Sequence, residues 1–423
     1  MLRGVGQRRR VLIAALPLIV AGACTGDDET GGTTPSPPVV TAGTDAPRVD
    51  DGVLRVGVMA PMTGDGAAIG QSVFAATDAA VAQINAAGGV GGTDVELVPQ
   101  DEGTTLAAAG DAVEALLGTD VDAVIGPTSS VVALGALGDL LAGGVMACSP
   151  TATAQALDEY PGSDRFFRTV PSDTLQAAAI AELAEQTGAP TVAVAFLDDT
   201  YGRPLARSTI AALQGRQLAV EVIVPFSSGD EDLAAQATEL AESGVGVVVI
   251  IGDADEGTRM LSALGEIAGR FEDGALPDVV VNGAMRTPAS PALLESLRPQ
   301  LREQVRGVAP LARPLSAEEA PGLFGTNAVD CLNLIALAAE QAGSDDPVVM
   351  AERITEVSST GVACADFAEC VELLGDDRNI DYEGRRGGLD LGADGDPARA
   401  VFEVFSFDEN GIDQPLRTFP VGG

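Results

Sequence analysis

Leu54-Arg-Val-Gly-Val-Met59 opens the folded body of this chain. A helical run from Ala67 to Ala86, a stop at Gly88-Gly89 and a second short β-type run, Val95-Glu-Leu-Val98, follow it. An apolar strand, a helix of more than ten residues and another strand make a βαβ unit, whose strands must run parallel. The pattern then repeats. Leu106 to Leu117 reads as a helix, Val121 to Ile125 as a strand, Val131 to Leu141 as a helix and Val145 to Cys148 as a strand. After Arg168-Thr-Val-Pro171 it restarts. Leu175 to Gln186, Pro204 to Leu213, Leu233 to Glu242 and Thr258 to Ala268 are helical. Thr191 to Phe196, Ala219 to Val224, Val245 to Ile251 and Val279 to Val281 are strands. Apolar strands alternating with helices require parallel sheets covered on both faces. Two such series predict an α/β fold of two doubly wound parallel-sheet lobes.

In such sheets ligands bind beyond the carboxyl ends of the strands, where the strand order reverses. The loops to search are therefore 60–66, 126–130, 149–153, 198–202 and 252–256. Ser129 and Ser130 follow a strand and open a helix. Their hydroxyls and neighbouring N–H groups can hold an anion, or simply cap the helix. Thr151, Ala152 and Thr153 follow the next strand on the same edge, as a ligand loop or as a turn with a Thr cap. Tyr201 is one of three Tyr, and its amphipathic ring suits a closing lid or packing against the next helix. Asp253 can pair with a ligand ammonium or stand as a solvated loop acid.

Composition excludes several functions. There are 62 acidic and 24 basic residues, a net charge of −38, which repels nucleic acid and anionic lipid. There is no His, so the commonest general base and metal ligand is missing. No metal and no cofactor is expected: Asp198-Asp199 lacks the ligand spacing of a calcium loop. Gly88-Gly-Val-Gly-Gly92 joins a helix to a strand, the reverse of a phosphate loop, and reads as a helix C-cap and turn. An α/β enzyme is disfavoured, because there is no glycine fingerprint after 54–59 and no nucleophile elbow.

The first residues form an export signal. Arg3 and Arg8-Arg9-Arg10 precede an apolar stretch from Val11 to Val20, then Ala21-Gly22-Ala23 and Cys24. The stretch is shorter than the ~20 residues of a membrane-spanning helix. Small residues followed by cysteine resemble a bacterial lipobox, which implies lipid on Cys24. The chain from Thr25 to Asp51 is rich in Thr, Gly, Pro, Asp and Ser and reads as a disordered tether. Of the other cysteines, Cys364 and Cys370 are six apart and read as a local disulfide in an oxidising compartment. Cys148 and Cys331 read as small buried hydrophobes.

Ordered motifs carry a resemblance that runs from Leu54 to about Glu409. They are Val56-Gly-Val-Met-Ala-Pro-Met-Thr-Gly64, Ile84-Asn-Ala-Ala-Gly-Gly-Val90, Ala123-Val-Ile-Gly-Pro127, Ser149-Pro-Thr-Ala-Thr153, Phe166-Phe-Arg-Thr169 and Thr200-Tyr-Gly202. Ile380-Asp-Tyr-Glu-Gly384, Gly388-Leu-Asp390 and Val401-Phe-Glu-Val404 follow. The body resembles the type I periplasmic binding proteins of the branched-chain amino acid ABC transporter family, in their lipoprotein form. The resemblance implies two lobes joined by three hinge crossings, near 168–171, 307–311 and 389–401. It divides the chain into a lipoprotein signal peptide (1–23), a tether (24–52), first-lobe parts (53–169 and 309–390) and second-lobe parts (170–308 and 391–423). It implies that Ser130 binds a ligand carboxylate. Backbone at Thr151 and the Thr153 hydroxyl hold the α-carboxylate and α-amino groups, and Tyr201 closes over the ligand. Two departures concern the ligand. Leucine-binding relatives carry a Glu where this chain has Asn282-Gly-Ala-Met285, and their pocket aromatic is replaced by Ile69.

The expected function is that of an extracytoplasmic solute-binding protein, not an enzyme. It would be lipid-anchored to the outer face of the cytoplasmic membrane and act as a monomer. It would deliver a branched-chain or related amino acid to an ABC permease. The alternative is a ligand sensor of the same fold, for an amide, urea or aromatic acid, signalling to a membrane partner or regulator.

Overall fold

The computed structural model describes residues 48, 50–64, 66–230, 232–267, 276–286, 297–314, 316, 319–386 and 388–422. The export signal, Cys24 and nearly all of the tether lie outside the described residues.

The first sheet holds β1 (Arg55–Ala60), β2 (Glu96–Asp101), β3 (Ala123–Ile125), β4 (Met146–Ser149) and β5 (Phe166–Arg168), all parallel, in the order β2-β1-β3-β4-β5. Side chains alternate across it with the two-residue period of a strand. Val56, Val58, Ala60, Ala123 and Ile125 pack on one face against α1 (Ala67–Ala86). Met59 and Val124 pack on the other against α2 (Leu106–Leu117) and α3 (Ser130–Ala142). β2 runs three residues beyond the expected Val98 and includes Pro99. It is an edge strand, where a missing N–H donor is tolerated.

The second sheet holds β6 (Thr191–Leu197), β7 (Ala219–Phe226), β8 (Val247–Ile251), β9 (Asp278–Val281), β10 (Val305–Pro310), β13 (Arg399–Phe407) and β14 (Asp413–Gly422), in the order β14-β13-β10-β9-β8-β6-β7. β6 to β10 are parallel. β13 and β14 form an antiparallel hairpin along β10, an addition to the purely parallel pattern. Helices α4 (Asp173–Glu185), α5 (Gly202–Gly215), α6 (Ala234–Glu242) and α7 (Ala254–Glu266) cover its faces, and α8 (Pro299–Arg302) precedes β10. α7 starts four residues before the expected Thr258, because Asp253 supplies its cap.

Between β10 and β13 the chain returns to the first core. There α9 (Gly325–Ala342), α10 (Pro347–Val357), α11 (Phe367–Gly375) and the short parallel pair β11 (Val362–Cys364) and β12 (Ile380–Tyr382) pack with α1. The chain thus passes three times between the two sheets, after β5, after β10 and after β12. These crossings are bound to each other. Arg168, fully buried, ion-pairs with Asp158 (2.6 Å) and with Asp396 on the third crossing. Asn327 donates to the Thr169 carbonyl (2.7 Å). Arg386 donates to the Leu311 and Arg313 carbonyls (2.6 and 3.0 Å).

The cysteines need one correction. Cys148 on β4 and Cys331 on α9 are not separate buried thiols but a disulfide, across 183 residues of sequence. Both point into the first core, where the chain's return brings α9 against β4. Cys364 and Cys370 form the local disulfide expected of them. Among the described residues no helix is long and apolar enough to cross a membrane. Thiol titration of the unfolded, unreduced chain should find none of these four cysteines reactive, and all four after reduction. Labelling of Cys148 or Cys331 before reduction would contradict the long-range bridge. Replacing that pair by Ala should lower the unfolding free energy by about 2–5 kcal/mol.

Candidate functional site

Both sheets reverse their strand order beside their first strand, at β1/β3 and at β6/β8. A cavity of about 330 Å³ lies at the carboxyl ends of these sheets, a volume at the lower end for small-molecule sites. Ile69, Thr151 and Thr153 line it from the first sheet's side. Gln176, Tyr201, Gly283, Ala284 and Arg286 line it from the second. Ala309, Pro310, Ala312, Leu323 and Phe324 line it from the second crossing. Ile69 reaches the wall because α1 lies tightly on the loop after β1. A Cβ at Gly70 would stand 1.8 Å from the Pro61 carbonyl oxygen, so only Gly allows that approach.

Of the expected ligand residues, Thr151, Thr153 and Tyr201 are on the cavity wall; Ser129, Ser130, Ala152 and Asp253 are not among the residues lining it. The reason lies at the amino end of α3. The Glu102 carboxylate, 1% exposed, already sits there. It accepts from the Thr128 N–H (2.7 Å), the Thr128 hydroxyl (3.1 Å) and the Ser129 N–H (3.2 Å). The chain supplies its own anion to the helix dipole. Burial raises the Glu102 pKa, and these hydrogen bonds oppose it. Ser129 caps the helix through Val132 N–H, and the Ser130 hydroxyl accepts from the N–H groups of Thr153 and Ala154 (3.2 Å each). Asp253 accepts from Glu256 N–H (2.7 Å) at the start of α7.

The loop carrying Thr151 to Thr153 is held from several sides. Thr151 donates to the Thr128 carbonyl, and Ala152 N–H donates to Ser149 Oγ (3.1 Å). Arg168 Nη1 donates to the Ala152 and Ala154 carbonyls (3.3 and 3.2 Å). The Thr153 carbonyl accepts from Asp173 N–H (2.8 Å), the first residue of α4.

Behind this wall runs a buried polar chain that the sequence did not single out. Asp173, 2% exposed, accepts from Gln176, whose Oε1 accepts from Gly283 N–H (2.7 Å). Asn282, fully buried, donates to the Tyr201 hydroxyl (2.9 Å) and accepts from Gly252 N–H (3.1 Å). It thereby joins the ends of β8 and β9 to the start of α5. Burial pushes Asp173 up to about 7, against hydrogen bonds from Thr153 and Gln176. Burial, followed by the Asp173 charge, pushes the Tyr201 hydroxyl well above its ordinary value. Ser172-Asp173 looks in sequence like an ordinary helix start, so only the fold reveals it as an acid behind the cleft. Among the described residues no cluster of potential metal ligands is present.

An acid with a raised folded pKa keeps its proton in the folded state at pH values where the unfolded chain has lost it. Between about pH 4 and 7 Asp173 therefore makes stability fall as pH rises. Asp173→Asn cannot ionise. Its stability relative to the parent should rise across that window, by at most about 4 kcal/mol, read from urea midpoints at pH 5 and 8. An unchanged gap would mean that Asp173 is ionised in the fold throughout.

Comparison with known proteins gives a consistent result. Residues 53–270 match the family described as periplasmic binding protein. The Leu/Ile/Val-binding protein homolog 3 of Brucella melitensis is 27% identical, over 85% of this chain and 92% of its own length. The chemotactic signal transduction system substrate-binding protein BasB of Halobacterium salinarum is 26% identical, over 80% of this chain and 84% of its own. Among solved structures, the branched-chain amino acid transporter substrate-binding protein LivJ of Streptococcus pneumoniae, in complex with isoleucine, superposes with a TM-score of 0.63. It shares 20% identity and covers 88% of this chain and 100% of its own.

Proposed function

Because the chain belongs to the periplasmic binding protein family, we propose that it is an extracytoplasmic receptor that captures one small organic solute of the amino-acid class and delivers it to an ABC permease. The observation that carries this reading is a cavity walled by both lobes at the carboxyl ends of their sheets. A ligand there touches both walls, so its binding energy favours the closed arrangement. Closure changes the outer face of the pair of lobes, and that face is what a permease reads.

Tyr201 and Thr153 face this cavity from opposite sides. Their proposed work is to span the ligand, Thr153 through its hydroxyl and Tyr201 through its ring and hydroxyl. A thermal-shift screen of the purified chain against amino acids, amides and small organic acids tests the receptor reading. A ligand specific to the folded state stabilises it by ~2.7 kcal/mol at a hundred times Kd. Thr153→Ala and Tyr201→Ala should each weaken the identified ligand about tenfold, some 1.4 kcal/mol. No melting shift with any compound would overturn the receptor reading, and unchanged affinity in both variants would overturn the site.

Attachment through Cys24 is part of the same proposal, since a tethered receptor stays near its permease. In cell fractionation the parent chain should sediment with membranes and Cys24→Ala should not. Retention of the variant in the membrane fraction would point to another anchor. A second reading is that the same closure signals to a membrane partner instead of a permease. The similarity to a chemotactic signal transduction binding protein favours it, and solute uptake that persists after deletion of the gene would support it.

A further inference from the structure

We infer that the cleft selects an organic carboxylate with an apolar body, anchored by Arg286 of the second lobe, and that it does not require an ammonium group on the ligand. This deepens the receptor reading and rests on it.

Among the described residues Arg286 is the one on the cavity wall that is charged at neutral pH. That is unexpected in a chain with 62 acidic and 24 basic residues, where an unselected wall charge would more often be negative. The guanidinium is 7% exposed. Its Nε donates to Asp413 (2.9 Å) and its Nη2 to Glu403. Its Nη1 is buried and has no hydrogen-bond partner. An unmet charged donor in a buried setting is costly, and a carboxylate offers it the strongest pairing available. The surroundings do not repel an anion. Arg313 bonds to the same two acids, to Glu403 at 3.0 Å and to Asp413. Two guanidinium groups and two carboxylates balance, which leaves no surplus negative charge beside Nη1.

On the first lobe the amino end of α3 already holds a carboxylate, that of Glu102, and the Ser130 hydroxyl is engaged by Thr153 and Ala154. Among the described residues no acid lines the cavity to meet an ammonium group. The acids just behind the wall are committed: Asp173 to Gln176, and Glu403 and Asp413 to Arg286 and Arg313. Beside the neutral polar groups of Thr151, Thr153, Gln176 and Tyr201, the wall is apolar, with Ile69, Pro310, Leu323 and Phe324 available to the ligand body.

The test uses ligands that differ in one group, titrated calorimetrically into the full chain. Leucine carries both charges, leucinamide lacks the carboxylate and 4-methylpentanoate lacks the ammonium; benzoate and benzamide form a second pair. The acids should bind at least tenfold more tightly than their amides, with 4-methylpentanoate within about tenfold of leucine. Arg286→Gln should lose at least tenfold in affinity for the acids and leave the amides unaffected. Arg286→Lys, which keeps the charge inside the same acid cluster, should fall between. The parent's preference for acid over amide needs no variant, so the test stands even if Arg286→Gln folds poorly. Amides binding as tightly as acids, or leucine binding while 4-methylpentanoate does not, would overturn the inference and leave the receptor reading intact. Failure of every acid, amide and amino acid would overturn both.

Discussion

The buried guanidinium of Arg168 holds together the parts that make the cleft. It lies fully inside the protein between Asp158 and Asp396, with Nη1 on the carbonyls flanking Thr153. Removing a charge from water costs several kcal/mol unless its partners are complete. Here two carboxylates and two carbonyls complete them. The consequence is geometric as well as energetic. The first crossing, the third crossing and the loop after β4 cannot drift apart without exposing or orphaning that charge. The Thr153 wall is therefore fixed relative to the joints about which two lobes of this kind close.

The second layer of the site works by the same logic with neutral groups. Asn282 ties the ends of β8 and β9 to Tyr201, and Gln176 ties α4 to Gly283. These bonds place the side chains that face the cavity without putting a charge on its wall. Asp173 stands where both layers meet. Its N–H binds Thr153 on the first side, and its carboxylate binds Gln176 on the second. Its raised pKa follows from that position, since a carboxylate closed off between two lobes loses most of its water.

Much of the fold was legible because βαβ alternation is a local signal. The strands from β1 to β4 and from β6 to β9, with their helices, follow from runs of Val, Ile and Ala and the spacing between them. β5 and the β13–β14 hairpin were less legible: the first is three residues long, and the second is an antiparallel pair with no helix between its strands to mark it. The Cys148–Cys331 bridge could not be read, because 183 residues separate its ends and nothing local marks either as a partner. The site divides in the same way. Position after a strand was enough to bring Thr151, Thr153 and Tyr201 to the wall. It was not enough to tell a ligand serine from a capping one. Ser129 and Asp253 carry the same local signature as an anion site, and both cap helices. What decides the matter at α3 is Glu102, brought there from 27 residues upstream of Ser129 by the parallel pairing of β2 with β1. Arg286 lay in a loop with no pattern, and its environment is built by β13 and β14, far along the chain.

The internal Glu102 and the buried Arg286 with its unpartnered Nη1 are two sides of one proposed electrostatic arrangement. A helix amino end that keeps its own carboxylate repels a second one, while a guanidinium with an unmet donor attracts it. On the proposed reading, anion recognition therefore leaves the first lobe and falls to the second. A receptor discriminates by the difference between the ligands it rewards and those it penalises. Here the penalty is as specific as the reward. Among the described residues a ligand ammonium finds a guanidinium and no acid on the wall, and a neutral amide offers Arg286 Nη1 only an uncharged acceptor, a weaker partner than a carboxylate. Closure still needs both lobes, because the apolar body must be covered by Ile69 on one side and Tyr201 on the other. In the proposed receptor the charge thus chooses the class of solute, and the fit of the body between the two walls chooses the member.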